Sequence, residues 1–306
     1  MIAFPKALWR SPHGRDARAY IARLLLLLAV LLLPGCSKQN PRPDHPRLTP
    51  KVTLIDVTFH SAALSRDVPY RVILPAAPLA GRKLPVVYLL HGGGADFHSW
   101  SNDSDVARFA EDGLILVMPE GASSYYTNAA ARPADRYEDY VVKDLIADVE
   151  SRFPAATGRE NRAIVGVSMG GFGAVKLALK HPELYAFAGG ISSALDVPSR
   201  PFSIKRMRQY LGHRAIFGPW GGETRRENDP FVLIQSADPE KVPFLFLTCG
   251  EQEGLLPANR RFATLLGRRH FRYEFHTMRG GHDWNQWNEW LSACFASLEQ
   301  HIGGKS

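Results

Sequence analysis

The sequence predicts an α/β protein: a mostly parallel central sheet of about eight strands with helices on both faces. Three observations carry this. From Lys51 onward, short runs rich in β-branched and aromatic residues alternate with stretches of helical periodicity. Several runs, such as Val86–Leu90 and Ala163–Val167, are apolar without alternation, which is the pattern of strands buried on both faces. The 306 residues are 45% apolar and 22% charged, ordinary globular values that exclude a disordered or collagen-like chain; three cysteines are too few for a disulfide scaffold.

Taken from the N-terminus, residues 1–36 read as an export signal. Lys6, Arg10, Arg15, Arg18 and Arg23 stand against one acid, Asp16, and precede the ten apolar residues Leu24–Leu33. As a helix those ten rise only ~15 Å, about half of a bilayer's hydrocarbon core, too short for a comfortable span. The run ends in Leu33-Pro34-Gly35-Cys36, which resembles a bacterial lipobox and implies a lipidated Cys36 and an exported, membrane-anchored chain, in the periplasm or at the cell surface. Ser37 after the cysteine resembles an outer-membrane sorting signal. Residues 37–50 carry Pro41, Pro43, Pro46 and Pro50, so a semi-extended tether is expected there, followed by one domain over 51–306.

The net charge of +7 at first invites a nucleic-acid partner. Five basic residues and one acid lie in residues 1–35, so removing the signal lowers the charge to +3 and takes away most of that support. No nucleic-acid partner is expected. Cys249 and Cys294 lie in apolar stretches and are expected to be buried free thiols.

Within the domain, strands are expected at Val52–Phe59, Tyr70–Leu74, Val86–Leu90, Ile115–Met118, Ala163–Val167, Phe187–Ile191, Phe244–Thr248 and Phe271–Thr277. Helices are expected at Asp103–Glu111, Glu138–Arg152, Gly170–Lys180, Pro257–Leu266 and Trp284–Glu299. No helix separates the first two strands, which predicts an antiparallel edge. Residues 196–241, with Gly-Pro-Trp at 218–220, break the rhythm and read as an insertion over one end of the sheet.

The chemistry is carried by Gly166-Val167-Ser168-Met169-Gly170, a Gly-x-Ser-x-Gly between a buried strand and a helix. A nucleophile elbow needs glycines around its serine because the chain reverses too sharply for bulky neighbours. Ser168 would then attack, and the Met169 N–H would face the oxyanion. A serine needs a base, and the base an orienting carboxylate. His276 shares a strand face with Arg272 and Glu274, His270 sits in a turn and His301 in the tail; His282, after Gly280-Gly281 and before a Trp-rich helix, stands where a base should. For the carboxylate, Glu251 and Glu253 both follow the Phe244–Thr248 strand, and spacing leaves both open. The loop His91-Gly92-Gly93-Gly94 after Val86–Leu90 can supply a second oxyanion donor, with His91 as a structural hydrogen-bonding residue; no Gly-Lys-Ser/Thr supports a phosphate loop.

With these residues assembled, the chain resembles the esterase D/antigen 85-like serine esterases of the α/β-hydrolase superfamily. Their relatives include S-formylglutathione hydrolases, feruloyl and acetyl xylan esterases and mycolyltransferases. The resemblance spans about residues 52–302. It rests on Leu89–Gly94 with Trp100, Met118-Pro119-Glu120-Gly121, Tyr137–Tyr140 with Asp144-Leu145, Gly166–Gly173, Cys249-Gly250, and Gly281–Trp284 with Trp287. It implies the α/β-hydrolase fold, Gly93 as the second oxyanion donor, and Tyr125 and Tyr126 as substrate-site residues. It also implies Glu253 as the triad acid, at the place where the family usually has Asp, with Glu251 in reserve. The expected function is serine carboxylester hydrolysis with no cofactor and no metal, on a small-molecule or polysaccharide-linked ester. The alternatives are an acyltransferase on the same site, or an idle α/β-hydrolase-like lipoprotein used for binding.

Overall fold

A computed structural model describes residues 43–77 and 81–303. The chain divides into two units, Met1–Pro43 and Asp44–Ser306; everything below belongs to the second. The export signal, the lipobox Cys36 and the first residues of the tether lie outside the described residues. The expected tether is shorter than read from its prolines, because from Asp44 the chain is bound to the body. The buried Arg71 guanidinium donates to Asp44 (2.8–2.9 Å), and Arg47 N–H donates to the Ser101 carbonyl (2.7 Å). A buried guanidinium needs carboxylate partners, and Asp44 is one of two.

Eight strands form one sheet in the order β1-β2-β4-β3-β5-β6-β7-β8. They are β1 (Val52–Ser61), β2 (Arg66–Pro75), β3 (Val86–Leu90), β4 (Ile115–Pro119), β5 (Arg162–Val167), β6 (Phe187–Ile191), β7 (Phe244–Gly250) and β8 (Tyr273–Met278). β1 and β2 make the expected antiparallel edge, β2 also runs antiparallel to β4, and the remaining strands are parallel. Every residue of β3, β4, β5 and β6 is buried, as continuous apolar runs require. Alternate side chains feed two cores. Val86, Tyr88, Leu90 and Ile164 pack on one face, while Val87, Leu89, Val165 and Val167 pack on the other.

Helices cover both faces. The helical run α1 (137–152), whose middle Tyr140–Leu145 is wound as a π-helix, lies with α2 (Met169–Lys180) on the first. The insertion contributes α3 (Met207–Phe217) and α4 (Pro230–Ser236), and α5 (Leu256–Arg268) follows β7. The C-terminal α6 (Trp284–Glu299) covers the second face. The helix expected at Asp103–Glu111 is instead an α-helical turn at Ser99–Asp103 and a 3-10 turn at Val106–Ala110. Ser104 divides them: its backbone is extended, its hydroxyl donates to the Trp100 carbonyl (2.6 Å) and accepts from Val106 N–H (3.3 Å). A side chain that satisfies the backbone locally competes with helix continuation.

β4 lies to one side of β3 and β5 to the other, so the chain order reverses between β3 and β5. In open α/β sheets a crevice opens at the carboxyl ends of the strands at such a point. The loops after β3 and β5 carry Gly92–Gly93 and Ser168.

Candidate active site

At the end of β5 the backbone turns through Ser168 at φ 56°, ψ −112°, and α2 starts one residue later. A non-glycine residue with positive φ stores strain and persists only where its surroundings over-determine it. Here they do: Ser168 N–H donates to Ile191, and the Ser168 carbonyl accepts from Phe172 and Ala194 (2.8–3.1 Å). The flanking glycines are sterically required. A Cβ at Gly170 would stand 2.0 Å from the Leu90 carbonyl oxygen, and one at Gly166 would stand 2.2 Å from the Gly170 backbone.

His282 lies in the loop between β8 and α6, and its Nε2 is 2.8 Å from Ser168 Oγ. Its Nδ1 is 2.6 Å from Glu253 Oε2, in the loop after β7. Since a carboxylate only accepts, Nδ1 carries the proton and Nε2 is free to accept from the serine hydroxyl. Glu253 is almost completely buried (side chain 1% exposed), while His282 is 39% exposed. The other carboxylate oxygen, Oε1, accepts from Gly250 N–H (2.8 Å) and the Ser192 hydroxyl (2.5 Å). Ser192 in turn accepts from the Trp287 indole N–H (3.0 Å), and the Trp287 ring meets the His282 ring edge-on at 4.9 Å. Glu251 is exposed and makes no contact with His282; its N–H donates to Met278. Tertiary packing therefore distinguishes two acids that spacing left equal. Ser192 and Trp287 were absent from the sequence-derived site. The signals available were a serine directly after β6, beside the elbow, and a tryptophan five residues beyond His282.

The loop after β3 meets the elbow closely: a Cβ on Gly92 would contact Ser168 Cβ at 3.5 Å, and one on Gly93 would contact Met169 Cβ at 3.9 Å. Among the described residues the N–H groups of Gly93 and Met169 have no intramolecular acceptor. His91 sets the direction of the first. Its Nε2 accepts from Gly121 N–H (2.9 Å), so its Nδ1 bears the proton and donates to the Gly92 carbonyl (2.8 Å). In a planar trans peptide, the Gly92 carbonyl and Gly93 N–H point oppositely, so holding one aims the other.

The two tyrosines expected at the substrate site separate. Tyr125 lines a cleft of about 280 Å³ with Ser168, Val197, Arg200, Gln209 and His282. Tyr126 does not reach it. It is fully buried, its hydroxyl donates to the His91 carbonyl (3.0 Å), and its ring occupies the space a Cβ on Gly121 or Gly173 would need. Both tyrosines have positive φ (54° and 52°). The turn is held from below by Lys176, a fully buried ammonium on α2 that donates to the Tyr126 carbonyl (2.5 Å), Thr127 Oγ1 (3.2 Å) and Glu138 Oε2 (2.8 Å). Burial pushes the Lys176 ammonium down to about 8, against the attraction of Glu138. Burial opposes ionisation of Glu138, but Lys176, His181 and Lys180 together hold its carboxyl well below the usual range. Tyr125 OH and His213 Nε2 are 3.1 Å apart, and burial, with Arg200 and Arg225 nearby, lowers His213 to about 4.

Cys249 and Cys294 are free and buried, and burial pushes the Cys249 thiol up to about 12. Among the described residues one cluster, Asp44, Asp56 and His98, has metal-ligand spacing. Arg71 already bridges both carboxylates at 2.7–2.9 Å, so the cluster is an ion-pair network.

This sheet, with a strained serine after β5 and a histidine and carboxylate on loops after β8 and β7, defines an α/β-hydrolase. The family model described as "Putative esterase" matches residues 61–298, and the chain belongs to that family; it is an ester-hydrolysing enzyme. The chain is 24% identical to an acetyl esterase of Caldicellulosiruptor saccharolyticus, over 80% of this chain and 97% of that protein. It is 27% identical to the diacylglycerol acyltransferase/mycolyltransferase Ag85B of Mycolicibacterium smegmatis, over 94% and 98%. Among solved structures it is similar to substrate-bound FphF, a fluorophosphonate-binding serine hydrolase of Staphylococcus aureus. There the TM-score is 0.71 at 26% identity, covering 81% of this chain and 98% of that one.

Proposed function

We propose that this enzyme is a serine carboxylesterase that works through an acyl-enzyme on Ser168. The observation that carries the reading is the continuous relay from Ser168 Oγ through His282 to the buried Glu253, at 2.8 and 2.6 Å. His282 Nε2 takes the hydroxyl proton as Oγ bonds to the ester carbonyl carbon. The carbonyl oxygen becomes an oxyanion facing the N–H groups of Gly93 and Met169. Nε2–H then protonates the leaving alcohol as the C–O bond breaks, leaving acyl-Ser168. Water, deprotonated by His282, reverses the sequence and releases the acid. Glu253 keeps the proton on Nδ1 and stabilises the imidazolium, while Ser192 and Trp287 fix Glu253.

Hydrolysis of short p-nitrophenyl esters tests this. Ser168→Ala should lower turnover by at least ~10³-fold, and unchanged activity would overturn the mechanism. The likeness to Ag85B favours a second reading, acyl transfer to an alcohol. Product analysis with glycerol or a disaccharide present separates the two: free acid alone supports the esterase, and a new ester supports transfer. The lipobox at Cys36 supports an exported, membrane-anchored enzyme, and radiolabelled fatty-acid incorporation that is lost in Cys36→Ala would test that placement.

A further inference from the structure

Five of the eight large apolar side chains exposed among the described residues fall between 202 and 220: Phe202, Ile204, Met207, Leu211 and Trp220. Apolar exposure is thus concentrated in the insertion. Ile204 is 72% exposed and Phe202 53%. Met207 and Leu211, four residues apart on α3, share one face of that helix, and the exposed Ile204 precedes them in a 3-10 turn at Ile204–Arg206. The opposite face of α3 is buried: His213, Ile216 and Phe217 are covered, and Phe217 packs against Tyr125 and Phe172. The stripe is therefore the outer face of a helix whose inner face forms the cleft wall, since Gln209 on the same helix lines the cleft with Ser168.

The charge on this segment is of one sign. Residues 197–222 contain Arg200, Lys205, Arg206, Arg208 and Arg214 and not one acid. Arg200 is paired with Asp196, but Arg206, Arg208 and Arg214 are exposed and without an acidic partner among the described residues. A helix with an apolar stripe between unpaired arginines is the composition of a segment that lies in the boundary of an anionic bilayer. Aliphatic side chains such as Ile204, Met207 and Leu211 gain little from an anionic polysaccharide, whereas an anionic lipid surface takes up both the apolar side chains and the arginines. Where the chain enters the body also fits. Asp44 and His45 bind Arg71 and Asn102, next to the turn that follows the Gly92–Gly93 loop and so at the strand ends that carry Ser168.

We propose that the outer face of the insertion, Phe202 to Arg214, docks the mouth of the cleft on an anionic lipid surface, which presents esters partitioned in that surface to Ser168. The substrate part of this rests on the esterase reading above; the docking part does not.

The test uses the full chain, so that parent and variants share the same N-terminal segment. Vesicles of phosphatidylcholine, alone and with phosphatidylglycerol, are compared by flotation. Two variants are read beside the parent, Arg208→Gln/Arg214→Gln and Ile204→Ser/Met207→Ser/Leu211→Ser. Turnover is measured on p-nitrophenyl acetate in water and on a long-chain p-nitrophenyl ester dissolved in the vesicles. The parent should favour phosphatidylglycerol vesicles, and the arginine variant should lose about thirtyfold of that partitioning. The apolar variant should weaken binding to both vesicle types. Both variants should lose turnover on the vesicle-borne ester while hydrolysing p-nitrophenyl acetate like the parent. Equal partitioning of parent and both variants overturns the docking. So does a change of oligomeric state in the apolar variant with unchanged vesicle binding, which would assign the stripe to a second copy of the chain. If vesicle binding behaves as stated but the parent hydrolyses neither ester, the esterase reading fails and the docking stands.

Discussion

Glu253→Gln is nearly isosteric, so whatever it does to turnover reports hydrogen-bond polarity rather than packing. In the parent, Oε1 accepts from the Gly250 backbone N–H at 2.8 Å and Oε2 accepts from His282 Nδ1 at 2.6 Å. The Gly250 N–H cannot turn, so the glutamine must keep its carbonyl oxygen there and set its NH₂ against Nδ1. Two donors cannot face each other, and His282 must move its proton to Nε2, where it can no longer accept from Ser168. Reaching the productive tautomer means leaving a buried donor unsatisfied, at about 1–3 kcal/mol, or roughly ten- to a hundredfold in rate. In the proposed mechanism the His282 imidazolium would also lose its buried counter-charge. Together these give a loss in kcat of about 10³–10⁴-fold, the range seen when a triad carboxylate becomes an amide. The assay is steady-state hydrolysis of p-nitrophenyl acetate, with the thermal midpoint measured in parallel to show that the fold is intact. Glu251→Gln, on an exposed side chain, should stay within about twofold. A folded Glu253→Gln enzyme retaining a tenth or more of parental kcat would refute the assignment, as would a larger loss in Glu251→Gln.

Three other outcomes follow from the same geometry. Lys176→Met leaves Glu138 buried with only Lys180 and His181, and breaking such a pair costs about 3 kcal/mol, a fall of roughly 6–12 °C in the calorimetric midpoint. Adding Glu138→Leu should recover part of it, and a double variant less stable than the single would contradict the reasoning. The pH dependence of stability follows from Glu138, whose carboxyl titrates in the fold below its unfolded value. Its contribution is complete above the ordinary carboxylate range and is lost progressively as pH falls below that range toward the lowered native value, so midpoints should drop from roughly pH 5 downward, and drop less in the Lys176→Met/Glu138→Leu chain, which lacks the group. Two glycine-to-alanine changes should have opposite signs in denaturant titrations. Gly170→Ala collides with the Leu90 carbonyl and should cost at least ~1–3 kcal/mol along with esterase activity, while Gly212→Ala, in open space on α3, should gain up to ~1 kcal/mol.

Much of the frame was legible because periodicity and covalent constraint are local. Continuous apolar runs at Val86–Leu90 and Ala163–Val167 carry the pattern of interior parallel strands, and the glycines around Ser168 announced a turn that nothing larger tolerates. Where the reading went astray, a side chain found a partner outside its own segment. Ser104 divided an expected helix by bonding the backbone around it. Asp44 shortened the tether because Arg71, distant in sequence, is buried and needs it. Tyr126 was withdrawn from the cleft into the space left by Gly121 and Gly173.

The sequence by itself determined the strand-turn-helix that holds Ser168, the strand pattern of the sheet and the short list of histidines and acids around it, since each depends on neighbouring residues. Only the tertiary structure decided which members of that list meet. Glu253 rather than Glu251 turns toward His282, because Gly250 and Ser192, brought together at the ends of β7 and β6, offer two donors to one buried carboxylate. The direction of the Gly93 N–H rests on His91 and Gly121, thirty residues apart. Hydrogen-bond direction between segments distant in the chain is a property of the packed sheet, and no spacing along the sequence encodes it.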